Sequence, residues 1–153
     1  MKISIEFDKT QSENEIIIRC HSINEEIQKL QEMISDIAMG TRKFVCYQNE
    51  TEYYLSLDDI LFFETEGGHI RVHTRDQVYL AKQKLYELEE MLPGTFMRVS
   101  KSTILNTNHI FSITKNLAAS SVVEFTGTHK QVYVSRYYYK PLKFKLEEKR
   151  NIL

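Results

Sequence analysis

The sequence is poor in cysteine and has no long apolar run, and both absences limit the classes of protein to which it can belong. Its two cysteines in 153 residues, Cys20 and Cys46, lie in apolar runs without the spacing of metal ligands. We expect both thiols to be buried, as in proteins of a reducing cytoplasm, with a redox switch between them as the alternative. The longest apolar stretch, around residues 60–63, is far shorter than the roughly 20 residues that cross a bilayer.

Motifs of targeting and of the common enzyme classes are missing as well. Residues 1–8 alternate apolar and charged side chains, unlike a signal peptide, so a cytoplasmic protein is expected. There is no nucleophile elbow, no P-loop, no dinucleotide fingerprint and no pair of carboxylates suited to acid–base work. Ser100 and Ser102 lie near His109 in sequence, but no ordered triad accompanies them. The sequence therefore predicts no enzyme, no cofactor and no small-molecule substrate.

Two histidines, His69 and His73, have a spacing that would place two zinc ligands together on a helix. Here Ile70 and Val72 alternate with them, so the segment is a predicted strand, along which four residues span roughly 13 Å. A shared metal ion is thereby excluded. His69 follows Gly67-Gly68, so its ring is expected to project from a hairpin tip, with an idle surface histidine as the alternative.

Charge is distributed very unevenly along the chain, although the net charge is only -1. Residues 1–97 hold 10 Lys and Arg against 18 Asp and Glu, a net charge of -8. Residues 98–153 hold 10 Lys and Arg against 3 Glu, a net charge of +7. A positive field concentrated in one part of a chain is typical of a polyanion binder, although a solvated basic face is the alternative.

The segment 96–106 is the centre of this basic half. It follows the turn residues Pro93-Gly94, and no acid occurs between residues 96 and 121. Its apolar residues can anchor it to a core, while its cationic, hydroxyl and amide side chains can donate hydrogen bonds to phosphate oxygens. These polar side chains are Arg98, Ser100, Lys101, Ser102 and Asn106. We interpret the segment as a surface that presses against DNA.

Residues 1–41 are predicted to form a β-β-α unit. Residues 2–8 and 15–20 have the pattern of strands, and Ser22 with Glu25 has the spacing of a capping box. The helix that follows ends at Gly40 and has apolar residues at helical spacing: Ile23, Ile27, Leu30, Ile34 and Ile37. Two strands and one helix have little core, so the unit is expected to pack on the rest of the chain or on its copy in a dimer.

Residues 42–153 are predicted to form a second, mainly β domain. Short alternating runs are separated by turn residues, and Gly67-Gly68 between two such runs is a strong hairpin signal. Helical spacing appears only over 82–92 and in a tail helix over 136–150 that Pro141 starts or bends. The fold class is therefore mainly β (α+β), with antiparallel sheets and short helices.

A strand over 130–134 is followed by Ser135-Arg136 and three tyrosines. An arginine at the end of a rigid strand can present its planar fork to the edge of a guanine, the commonest specific base contact. The alternative is that the tyrosines belong to the core and that Arg136 pairs with a surface acid.

Taken together, these segments resemble the LytTR family of bacterial DNA-binding domains. The resemblance covers residues 42–147, in order and at the spacings of the family. The matching pieces are 57–64, 68–70, 72–74, 85–89, 92–93, 96–106 and 134–136 with Tyr138. Each piece is weak alone, but the ordered set is specific.

The resemblance implies an elongated arrangement of small antiparallel β-sheets that inserts loop side chains into successive major grooves of direct-repeat sites. The positions that would face bases are His69, Lys101 and Arg136. The positions that would lie near phosphates are Ser100, Ser102, Lys130, Tyr137 and Lys140. Because lysine lacks the planar fork of arginine, both a base and a phosphate role stay open for Lys101.

The layout resembles stand-alone members of the family, because about 40 residues are too few for an amino-terminal receiver domain. For such members a small multi-pass membrane protein is often the functional partner. The resemblance thus implies a cytoplasmic, homodimeric transcription regulator of double-stranded DNA, with residues 1–41 serving dimerisation or partner docking. The alternative is an interaction module that docks a membrane partner, with DNA binding secondary.

Overall fold

The computed structural model describes residues 2–39 and 43–152. The chain divides into two compact units, Met1–Gly40 and Thr41–Leu153. The first unit contains one helix, α1, which spans Glu25–Met39. The Asn24 side chain accepts a hydrogen bond from the Ile27 backbone N–H at 3.0 Å, so Asn24 caps the helix. The predicted cap at Ser22 is therefore wrong.

The two strands expected before this helix are absent, so that part of the prediction is wrong. Residues 2–8 and 15–20 are irregular, and apolar side chains such as Ile3 and Phe7 are 84% and 94% exposed. Alternation along a segment produces a strand only where a neighbouring strand pairs with it and a core covers one face. Cys20 is accordingly exposed, not buried. The predicted helix stop at Gly40 and most of the connector after it lie outside the described residues.

The described part of the second unit contains ten strands and two α-helices, besides the 3-10 helices Leu57–Asp59 and Thr107–His109, and its predicted antiparallel, mainly β architecture is confirmed. In chain order these are β1 Lys43–Gln48, β2 Thr51–Ser56, β3 Phe62–Glu66, β4 His69–His73, β5 Val78–Ala81, α2 Leu85–Met91, β6 Phe96–Arg98, β7 Thr103–Asn106, β8 Ile110–Thr114, β9 Ser121–Phe125, β10 Gln131–Val134 and α3 Arg136–Ile152. Pro141 lies inside α3, so it does not start the helix.

The strands form two antiparallel sheets of unequal size. The larger has the order β2-β1-β5-β4-β3-β7-β6, and the smaller has the order β10-β9-β8. Among the described residues, the strand pairing between β1 and β5 has one residue pair in register, Tyr47 with Leu80. The larger sheet is therefore a five-stranded sheet extended by a hairpin, which makes it bigger than the small sheets expected.

The central strands β3 and β7 are covered on both faces. Phe63 and Ile104 pack with Leu85 and Leu88 of α2 on one face. Phe62 and its neighbour Leu105 pack on the other face against the smaller sheet and α3. Such strands need apolar residues at consecutive positions instead of alternating ones. This explains the unbroken apolar run over residues 60–63.

A buried amide fixes one end of this double layer. Asn106 is 1% exposed, its Nδ2 donates to the Ile60 carbonyl at 3.0 Å, and its Oδ1 accepts from the Asn108 N–H at 3.1 Å. The side chain thus ties the end of β7 to the residues before β3. Asn106 is therefore a structural residue. The interpretation of segment 96–106 had assumed that its amide faces the solvent, and that assumption is wrong.

We expect Asn106→Ala to lower the free energy of unfolding by about 2–4 kcal/mol, because it leaves the buried Ile60 carbonyl without its donor and opens a void. Asn116 offers a matched control, since its Oδ1 also accepts an N–H two residues on, from Ala118, but at an exposed position. Asn116→Ala should cost less than about 1 kcal/mol. Urea unfolding of both variants measures the difference; equal losses would contradict the structural role of the buried amide.

Candidate nucleic-acid interface

The loop 99–102 between β6 and β7 is held in shape by Arg98. The guanidinium of Arg98 donates from Nε to the Ser100 carbonyl at 2.9 Å and from Nη2 to the Lys101 carbonyl at 2.5 Å. Its Nη1 forms an ion pair with Glu89 of α2 at 2.8 Å. Arg98 therefore positions the loop, and its charge is already matched by a carboxylate. A contact between Arg98 and phosphate is not favoured by this geometry.

Two backbone hydrogen bonds connect this loop to its neighbours on either side. The Thr65 N–H of β3 donates to the Ser102 carbonyl at 2.8 Å. The Ser135 N–H, directly before α3, donates to the Val99 carbonyl at 2.9 Å. The loop therefore lies between the β3–β4 hairpin and the start of α3. We call the surface formed by the hairpin tip, the loop and the first turns of α3 the three-segment surface.

The hairpin tip of the three-segment surface is shaped by two glycines. Gly67 and Gly68 have φ angles of 60° and 79°, the left-handed region that a tight two-residue hairpin turn requires. His69 follows them and is exposed. It borders an open hollow of about 710 Å³ that is also lined by Lys82 and Lys84. Sequence reasoning did not single out these two lysines, because nothing in their local pattern shows that they fold back towards the tip.

In the loop itself, Lys101 and Ser102 are exposed and Ser100 is half-buried. The Ser100 hydroxyl lies 3.3 Å from that of Ser102 and accepts the Ser102 N–H at 3.2 Å. These bonds preserve a compact turn. Within the described part of the chain, the Lys101 ammonium has no hydrogen-bond or ion-pair partner. The turn therefore presents a free cation from a fixed backbone.

Arg136 is the first residue of α3, since strand β10 ends at Val134 and Ser135 separates the two elements. The Ser135 carbonyl accepts the N–H groups of Tyr138 and Tyr139, at 3.0 and 3.1 Å, and both rings pack against the core. Tyr137 is 81% exposed. Tyr138 and Tyr139 therefore belong to the core, as the alternative interpretation predicted, whereas Tyr137 lies at the surface.

Arg136 and Lys140 are four residues apart, so they lie on the same face of α3, and both are exposed. Among the described residues, neither has an acidic partner. Like charges at this spacing destabilise a helix slightly, by a few tenths of a kcal/mol. An anion bound between them would remove that repulsion, so the arrangement suits a phosphate or a base edge.

Lys130 is the one predicted site residue that lies away from the three-segment surface. Its ammonium donates to the carbonyls of Thr74 and Gln77, at 2.8 and 3.1 Å, and lies 3.3 Å from Nδ1 of His73. All three N–H groups are thereby directed at the protein. Lys130 joins the β9–β10 turn to the β4–β5 turn, at the opposite end of β4 from His69. This geometry favours a bracing role over phosphate binding.

His73 is the titratable group in this junction between the two sheets. Its Nε2 lies 2.8 Å from Glu64 and its ring stacks on Phe62 at 4.2 Å. Because Lys130 donates to Nδ1, the neutral ring has its hydrogen on Nε2 and donates it to Glu64. Burial lowers the pKa of His73, Glu64 opposes that shift, and Lys130 and Arg71 add to it. The neutral ring is therefore the form that fits.

Other kinds of site find no support in the described residues. No group of three or more His, Cys, Asp or Glu side chains there is arranged to hold a metal ion. Cys46 is buried, which raises the pKa of its thiol to about 11 and keeps it protonated. No helix within residues 2–39 and 43–152 is long and apolar enough to cross a membrane.

Comparison with known proteins places a family model over most of the second unit. The model of the LytTr DNA-binding domain matches residues 50–147. A Staphylococcus aureus protein named an uncharacterized HTH-type transcriptional regulator is 26% identical over 146 residues, which is 95% of this chain and 98% of that protein. A second protein of that name, from a bovine strain of the species, is 28% identical over 69% of this chain and 71% of its own length.

A solved structure has the same fold as the second unit. The LytTr DNA-binding domain of a Bacillus cereus protein superposes with a TM-score of 0.63 at 21% identity, covering 68% of this chain and 95% of that one. The names of the staphylococcal relatives refer to a helix-turn-helix. In the described part of this chain the three helices are separated by strands, so no two of them form that motif.

We expect Arg98→Met to weaken DNA binding about tenfold while leaving the salt dependence unchanged, because it loosens the loop without removing a charge that faces DNA. Glu89→Gln is the matched control: it removes only the ion pair and should have a smaller effect. Titrations at several salt concentrations measure both quantities. A slope of log K against log salt that falls by about 0.9 would instead show that Arg98 neutralises a phosphate.

The sheet junction predicts a pH-dependent stability. Since the pKa of His73 in the folded chain is below the ordinary value of 6.5, the unfolded chain takes up the proton first as pH falls. The free energy of unfolding should therefore decrease below about pH 6.5 and level off below the folded pKa. His73→Gln should lack this component, and His129→Gln, at an exposed position, should retain it. Urea unfolding between about pH 5 and 8 tests this.

Proposed function

Because the chain belongs to the LytTR family of DNA-binding domains, we propose that it is a sequence-specific transcription regulator that reads double-stranded DNA with the three-segment surface. The observation that carries the proposal is the pair of backbone bonds from the loop to Thr65 and to Ser135. These bonds support one continuous surface with protruding side chains from three segments. The family consists of DNA-binding domains, so the chain is not expected to catalyse a reaction.

Within this proposal, Arg136 reads bases. It is exposed, it begins a helix directly after a strand whose Val132 and Val134 are buried, and it is free of acidic partners among the described residues. A fork aimed by rigid backbone is suited to the O6 and N7 atoms of guanine. Lys101 contacts phosphate or a base edge from the loop, and His69 extends the reading surface from the hairpin tip.

The remaining side chains of the three-segment surface hold the phosphate backbone. Ser100, Ser102 and Tyr137 can donate through their hydroxyls, and Lys140 supplies a cation next to Arg136. The three segments enter successive major grooves of direct-repeat sites. Lys130 keeps a place in the proposal only as the brace between the sheets.

The whole protein is proposed to act in the cytoplasm as a homodimer, each copy occupying one repeat. The name of the staphylococcal relatives, transcriptional regulator, supports this role. Residues 1–41 serve assembly in this view, and residues 42–153 serve DNA binding. A small multi-pass membrane protein remains a candidate partner.

A second candidate function is an interaction module that docks a membrane protein through residues 1–41, with DNA binding secondary. It is favoured by the acidic first unit and by its exposed apolar residues, such as Ile16 and Ile17. Salt separates the two functions, since log K for DNA falls by about 0.9 per neutralised phosphate against log salt. An affinity for promoter DNA that did not change with salt would favour the interaction module.

Arg136→Ala and Lys101→Ala should weaken DNA binding in different ways. Loss of a bidentate guanine contact is worth roughly 1–3 kcal/mol of discrimination, so Arg136→Ala should weaken the cognate site much more than random DNA. Lys101 is a compact charge, so Lys101→Ala should weaken both DNAs more evenly and reduce the salt slope by about one.

Both variants and the wild type are titrated against both DNAs at several salt concentrations. Circular dichroism confirms that each variant is folded, and Lys43→Ala, at the exposed start of β1, serves as the cationic control. An equal loss on both DNAs for Arg136→Ala would remove this residue from base reading.

A further inference from the structure

Helix α1 has an apolar seam that the rest of the first unit leaves partly uncovered. Ile27, Leu30 and Ile34 are half-buried, and Ile37 is 67% exposed. A helix of 15 residues is marginal in water without a partner along its apolar face. The described part of the chain therefore contains a surface whose function has not been accounted for by DNA binding.

The spacing of this seam is that of a coiled coil. The four residues follow each other at intervals of three, four and three, so Ile27 and Ile34 occupy the a positions of a heptad, and Leu30 and Ile37 occupy the d positions. A strict a/d seam is narrower than the face a helix presents to a globular core. It suits one partner helix that lies alongside.

Charge on α1 is kept away from this seam. Its charged residues at positions c and f, which point away from a partner helix, are Glu25, Lys29, Glu32 and Asp36. The flanking e and g positions carry Gln31, Met33 and a single acid, Glu26. An acidic helix that removes its charge from one stripe can approach an identical helix without repulsion. A partner helix with a strongly basic face would find little complementary charge there.

We infer that α1 pairs with α1 of a second copy as a short parallel coiled coil. In a parallel coiled coil, isoleucine at the a positions with leucine at the central d position favours two strands. In that arrangement Glu26 of one copy faces Gln31 of the partner subunit, and no like charges meet. The inference rests on the proposed reading of repeated sites: two joined copies bind two repeats with an avidity that neither has alone.

The flanking positions provide a test that leaves the seam intact. Gln31 is exposed at e, beside the seam, and no charged residue lies three or four positions from it on its own helix. Gln31→Lys would create two attractive pairs with Glu26 across a parallel dimer, and Gln31→Glu would create two repulsive ones. Glu26→Gln, alone and combined with Gln31→Lys, is the matched control, because it keeps the new lysine and removes its partner across the dimer.

Sedimentation equilibrium of the full chain, up to about 300 μM, measures the dimer dissociation constant of each variant. We expect Gln31→Lys to tighten the dimer roughly threefold to fivefold, Gln31→Glu to loosen it by a similar factor, and the double variant to have the dissociation constant of Glu26→Gln alone. A monomeric wild type over this range would overturn the inference. So would Gln31 variants that shift the constant in the same direction, or a gain from Gln31→Lys that persists in the Glu26→Gln background.

DNA binding to one repeat and to two tandem repeats separates this inference from the proposed function. Gln31→Glu should weaken binding to tandem repeats and leave binding to a single repeat unchanged. A single repeat bound by a chain that does not dimerise would overturn only the coiled coil. Failure of the wild type to bind either DNA with a salt-dependent affinity would overturn the proposed function, whatever the state of assembly.

Discussion

Burial of β3 and β7 on both faces is the constraint on which the rest of the second unit depends. Phe62 and Phe63 are consecutive, and each belongs to a different core. The same double burial holds for Ile104 and Leu105 on the paired strand. Since backbone inside two cores cannot shift without breaking both, the segments that leave the ends of these strands start from fixed points. The loop 99–102 is one such segment, which is why a short polar turn can have a single conformation.

The local sequence pattern predicted those elements whose formation depends on neighbouring residues. The hairpin around Gly67-Gly68 and the helix α2 were predicted because turn chemistry and leucine spacing do not depend on distant residues. The strands expected over 2–8 and 15–20 failed for the converse reason, since a strand needs a partner that alternation cannot supply. The seven-stranded sheet was also out of reach, because the strand pairing between β1 and β5 has one residue pair in register among the described residues.

The candidate site shows the same division at the level of single cations. The sequence shows that residues 98–153 are basic, but it does not show which of their charges are paired within the fold. Arg98 and Lys130 donate to backbone carbonyls of the chain itself, whereas the described structure gives Lys101, Arg136 and Lys140 no such partner. All five are basic residues of the same half of the chain, so the sequence alone does not distinguish them. Lys130 is separated from the presented cations by the turn around residue 74, which is distant in sequence. Arg98 is separated from them by the folded geometry that brings its guanidinium to Glu89 and to the loop carbonyls.

This separation has an energetic consequence for the presented cations. A cation that braces the fold gains its hydrogen bonds when the chain folds. Those bonds therefore contribute to the stability of the free protein and not to the free energy of DNA binding. Lys101, Arg136 and Lys140 instead remain solvated in the free protein, and Arg136 and Lys140 repel each other on α3. Their favourable contacts become available only on binding. Release of counterions from the DNA then adds to affinity in proportion to the phosphates they neutralise. The slope of log K against log salt should therefore reflect the presented cations alone. It should be smaller than the slope expected if all of the net charge of +7 in residues 98–153 neutralised phosphates.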